Sequence, residues 1–248
     1  MPGAQVSPTR VDPDQERISI GQALSVWVIT WLVGSVFGAA VVSAAGYRNT
    51  DEAPVWVTMA VAAGLWTPML VGLWMLSQRF GRPRFGRHPF VDEYGLQFRL
   101  IDLIGVPIGV LSQLVLVRVL YWPLERGWPD TFNRSRVEQN ARDLYDLAHG
   151  GWLIGLVAIV VIGAPVIEEL MYRGLLQGAA VRRFNDAVAV VAVAAFFALI
   201  HLRWVELPGL FIFGLMLGAC TLRTGRLGMS ITAHMAFNGT GLLLVAWQ

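Results

Sequence analysis

The residue types capable of chemistry in this chain fall into three short segments with apolar surroundings. VIEELMYR, residues 166–173, ends an apolar run that begins at Gly151. FFALIH ends at His201, and AHMAFN carries His234 and Asn238. Successive helical residues point about 100° apart, so Glu168 and Glu169 cannot face the same place. Glu169 and Arg173 are four apart with the acid first, the favoured order for an ion pair within one helix. Glu168 is then free to serve a site on another face. Phe197 and His201 share one helical face, as do His234 and Asn238. Pro165 lacks an amide hydrogen and predicts a kink just before the acids.

An acid, two imidazoles and an amide can hydrolyse a peptide bond. A carboxylate in an apolar pocket beside an imidazole takes a proton from water, and the remaining His and Asn donate hydrogen bonds to the developing oxyanion. The same groups offer a second mechanism. Glu168, His201 and His234 could ligate zinc, with one position open for water and Glu169 as general base. No HExxH occurs, so this would not be a zincin helix. Counting from the turn at Arg182–Asp186, Glu168 and His201 lie at matching depth, about 21 and 22 Å along adjacent antiparallel helices. Asn238, about 18 Å beyond Arg226, is expected at that level, whereas His234, at about 12 Å, reaches it only if its helix tilts or starts deeper.

Taken together, EELMYR, FALIH and HMAFN resemble the three motifs of the CPBP family, the CAAX proteases and bacteriocin-processing (Abi) enzymes, whose pattern is EExxxR, FxxxH and HxxxN. The resemblance covers about 80 residues from the fourth span to the seventh. It implies a multispanning intramembrane endopeptidase, with Glu168 as catalytic carboxylate and Glu169 and Arg173 completing the first motif. His201 would help activate water, while His234 and Asn238 would bind the oxyanion, or His234 a metal. Family members act as metalloproteases or as metal-free glutamate proteases, so the resemblance leaves zinc open. It implies a peptide or membrane-protein substrate and leaves open whether prenylated tails are cleaved. A non-enzymatic scaffold or immunity protein and a proton-coupled transporter are the alternative functions. The crowding of polar groups into the second half counts against the paired halves of a transporter.

The elements that must position these groups are membrane helices. Of 248 residues 55% are hydrophobic and 15% charged, against about 25% charged in soluble domains. Apolar residues come in long blocks, which predicts an all-α, polytopic helical bundle forming one integral-membrane domain over 1–248. Residues 1–20 form a polar tail, and about 150–248 form the catalytic core. Seven spans are expected, within a range of six to eight: 18–47, 53–78, 103–117 extended to Tyr121, 147–167, 187–202, 207–222 and 227–248. The fifth and sixth are short, about 24 Å each. The first apolar stretch starts too late and runs too long for a signal peptide and is expected to be retained.

All nineteen basic residues are arginine. With the N-terminus inside, eleven fall in inner segments and six in outer loops, which predicts a cytoplasmic N-terminus and an external C-terminus in a bacterial plasma membrane. A net charge of +2, spread over many loops, excludes nucleic acid as a partner and leaves the lipid bilayer. Residues 82–102 suit an interfacial segment. Residues 133–148 predict a surface helix capped by Asn133, with Val137, Ala141, Leu144 and Ala148 on one stripe. Gly105/Gly109, Gly151/Gly155 and Gly214/Gly218 are small-residue pairs at the spacing that lets helices approach closely in lipid. The lone Cys220 reads as a small buried hydrophobe.

Overall fold

In lipid every backbone N–H and C=O must be satisfied within its own segment, so long apolar runs become helices. The computed structural model describes residues 17–50, 52–81, 88–148 and 150–247. Most of the polar tail and residues 82–87 of the interfacial segment lie outside the described residues. Among the described residues, six helices are long and apolar enough to cross a membrane: Ile20–Ala44, Val55–Phe80, Leu100–Gly127, Trp152–Ala180, Leu207–Thr224 and Gly228–Ala246. We call these spans one, two, three, four, six and seven. The expected fifth span is the shorter apolar helix Asp186–Ile200.

Sequence signals set the ends. Ser19 and Gln22 form a capping box at span one, Asn185 accepts a hydrogen bond from Val188 N–H at span five, and Gly225 ends span six in the left-handed conformation (φ 65°). Asn133 caps the surface helix Arg134–Asp146 as expected, accepting from Arg136 N–H.

Span four departs from expectation in length. It continues well beyond 167 to Ala180, so EELMYR lies within the helix and not at its last turn. Burial explains this, because Glu169 and Arg173 neutralise each other at 2.9 Å with no side-chain exposure, and nothing forces the helix to stop there. The expected kink at Pro165 takes the form of a π-helical turn, Ala158–Gly163, immediately before it. The wider turn accommodates the missing N–H and the crowding at the preceding carbonyls.

Two of the three glycine pairs pack as expected. A methyl group at Gly109 would overlap the carbonyl of Ala233, and one at Gly105 would overlap Thr232 and the Met229 carbonyl, so span three lies directly against span seven. Gly214 and Gly218 bring span six against Ala194 and Val190 of span five. Gly151 has nothing near it. Spans one and two form a second packed pair, joined to spans four and five by Trp27, which meets Tyr172 of span four at 6.2 Å and Phe196 of span five edge-on at 4.7 Å.

At one end of the bundle, Arg226 donates from Nε and Nη2 to the two carboxylate oxygens of Asp102, at 2.9 and 2.7 Å. Arg99 N–H also donates to Asp102, and Thr232 Oγ1 donates to its carbonyl. This clamp fixes the start of span seven against the start of span three.

Candidate active site

Span four turns its two glutamates in different directions, as their adjacency requires. Glu169 is fully buried; its Oε1 accepts from Arg173 Nη1 and from His234 Nδ1, both at 2.9 Å. Arg173 also donates Nη2 to the Gly214 carbonyl at 3.2 Å, and its guanidinium lies 4.7 Å from the Phe197 ring. With Nδ1 committed to Glu169, His234 presents Nε2 to the neighbourhood of Glu168, 3.7 Å from Oε2. Edge-on contacts from Phe213 at 5.4 Å and Phe197 at 6.1 Å hold the ring in place.

His201 follows the last residue of span five. Its Nδ1 sits 2.7 Å from the Phe197 carbonyl. A carbonyl can only accept, so Nδ1 carries the hydrogen and Nε2 is the acceptor. Asn238 donates from Nδ2 to the Val160 carbonyl at 2.8 Å, which leaves a second N–H on that nitrogen.

Glu168, His201, His234 and Asn238 all line one cavity of about 240 Å³. Phe197, Phe213 and Phe237 give it apolar walls, and Val137, Ala141 and Leu144 of the surface helix close one side. Glu169 and Arg173 stand behind His234 and outside the lining. Asn238 and His234 exchange the levels expected for them. His234 meets the two glutamates, whereas Asn238 bonds two helical turns away on span four.

Zinc requires a ligand set, and the described residues hold no three His, Cys, Asp or Glu side chains close enough together to hold an ion. Glu168, His201 and His234 share a cavity without forming such a cluster.

Sequence reasoning missed several lining residues, among them Gln113 and Tyr121 of span three and Glu206 just before span six. Tyr121 donates to the Val205 carbonyl at 2.5 Å and so fixes the loop that follows His201. Burial pushes the Glu206 carboxyl above its usual range, with Arg203 at 3.5 Å pulling the other way. A carboxamide within the charge-free stretch 103–117 was the available signal for Gln113.

No curated protein and no solved structure matches the chain. A family model does, over residues 150–240, and its description is type II CAAX prenyl endopeptidase Rce1-like. That stretch contains all three motif segments, from Glu168 to Asn238. Over residues 150–240 this multi-pass membrane protein is therefore similar to the Rce1-like type II CAAX prenyl endopeptidases, a family of membrane-embedded peptidases.

Proposed function

We propose that the chain hydrolyses a peptide bond in a membrane-associated peptide or protein, with Glu168 as the base that activates water. The observation that carries this reading is the shared cavity: Glu168, His201, His234 and Asn238 all border the same hollow. Water held between Glu168 and His201 Nε2 loses a proton to Glu168 as its oxygen attacks the carbonyl carbon. The resulting oxyanion accepts hydrogen bonds from the free N–H of Asn238 Nδ2 and from protonated His234 Nε2–H. Glu169, which accepts the hydrogen bond from His234 Nδ1, fixes the ring. Glu168 then returns its proton to the leaving amine, and the carbon–nitrogen bond breaks.

On this reading Glu169 and Arg173 are positioning residues, acting through His234. No step uses zinc, and elemental analysis of the purified protein at one metal per chain would bring the zinc mechanism back. An external C-terminus in a bacterial membrane places the cavity mouth and the surface helix on the outer side, where an extracytoplasmic peptide segment reaches them.

The test is cleavage of a fluorogenic farnesylated CAAX peptide in detergent micelles. Glu168→Gln should lower kcat on the order of a hundred- to ten-thousandfold. Its thermal unfolding should stay close to that of the wild type, because the Glu168 side chain is 28% exposed and pairs only at 3.7 Å. Undiminished cleavage by Glu168→Gln would overturn the assignment.

A further inference from the structure

Gln113 is a polar side chain that the reaction described above does not use. It sits in a π-helical turn of span three, Ser112–Leu116, and lies outside residues 150–240. π-helical turns inside long helices often accompany functional sites. Gln113 lines the cavity together with Glu168, His201, His234 and Asn238. Its Oε1 is buried without a hydrogen-bond partner. The carboxamide lies over span seven at Gly241, where an added methyl group would come to 3.4 Å of Nε2. A buried amide oxygen with no partner is costly, and a native site that keeps one commonly has a ligand to meet it.

We propose that Gln113 is a substrate-binding residue that hydrogen-bonds the backbone of an extended peptide lying in the cavity. The proposal rests on the peptidase reading and deepens it by stating how the substrate is gripped. A carboxamide presents one acceptor and a donor side by side. One residue of an extended chain presents its own N–H and C=O to the same side, as it does toward a neighbouring strand. The match allows Oε1 to accept from the substrate N–H while Nε2 donates to the C=O of the same residue.

The position of that residue follows from span seven. His234 and Gly241 are seven residues apart, about 10 Å along the helix. An extended chain covers that in about three residues. Gln113 therefore grips a backbone unit about three residues from the bond that is cut. Backbone recognition is indifferent to side chains, so the apolar walls, Phe197, Phe213 and Phe237, are left to set side-chain preference.

The experiment measures binding of a fluorescent farnesylated CAAX peptide to full-length Glu168→Gln protein in nanodiscs, with and without Gln113→Leu. Esters replace single amides within four residues on either side of the cut, which removes one N–H at a time. Gln113→Leu should weaken binding about five- to tenfold. It should leave thermal unfolding unchanged or raise it, since an unpaired buried oxygen is removed. One ester position should weaken binding by the same factor with Gln113 present and cost nothing in the Leu variant. Wild-type protein that cleaves the peptide while Gln113→Leu leaves every affinity unchanged would overturn the proposal and leave the peptidase reading standing. Loss of binding with the ester effect unchanged in the Leu variant would overturn it equally. A wild type that neither binds nor cleaves the peptide would overturn the peptidase reading, and the grip with it.

Discussion

Two neighbouring glutamates with the same side chain do different work because one helical step separates them. Glu169 is sealed between Arg173 and His234, and Glu168 borders the cavity. The division was legible in the spacing, since acid and base four apart pair within a helix. Removing one partner of a buried pair leaves the other charge uncompensated, at a cost of about 3–5 kcal/mol. Glu169→Gln should therefore lower the unfolding temperature markedly in a calorimetric scan, and Glu168→Gln should not; equal shifts would contradict the geometry. Glu206 supplies a pH signature. Arg203 and His201 are the charged or titratable groups that act on it, and burial still raises its carboxyl. A raised folded-state value means that stability is fully present below the ordinary glutamate value of 4.5 and declines as pH rises through the raised one. Glu206→Gln should flatten that decline in unfolding temperature measured across the acid range, and an unchanged slope would assign the decline to other groups.

At the scale of elements, hydropathy located the spans because lipid demands unbroken apolar helices, and it left their ends and their levels open. Span four could be followed past its charged residues only by knowing that Glu169 and Arg173 meet in the core. The π-helical turns had no signature beyond Pro165, and the meeting of His234 with the glutamates depended on the tilt and depth of span seven. The glycine pairs were more informative. Gly105 and Gly109 face the backbone of span seven so closely that no side chain fits between. Gly109→Leu must separate spans three and seven and move His234 with them. It should lower stability by about 1–3 kcal/mol or more, the usual range for overpacking, and should cut peptide cleavage further than the stability loss alone explains. Gly151→Leu, at a glycine with nothing within reach, should change neither unfolding temperature nor rate.

For the whole molecule, the motifs carried by residues 150–240 are legible as sequence, but the cavity they serve is not built by that segment alone. Gln113, Val117 and Tyr121 come from span three, and Val137, Ala141 and Leu144 from the surface helix. The Asp102–Arg226 clamp ties the start of span seven to the first half of the chain. These contributions were invisible in advance because apolar and isolated polar residues acquire meaning only from the helices they meet. A protein cut between its halves should show this. Gly150 and Gly151 lie exposed in the connection before span four, with Gly150 at φ 60°, so a break there disturbs no packed helix. Helices inserted separately in a bilayer can still associate through packing and hydrogen bonds. Residues 151–248 expressed alone should insert yet fail to cleave the farnesylated peptide. Co-expression with residues 1–150 should restore cleavage, and Asp102→Asn in the first fragment should weaken both co-purification of the halves and the recovered rate. Full activity from residues 151–248 alone would mean that span three and the surface helix are dispensable walls, and that the chemistry needs no more than the segment bearing its motifs.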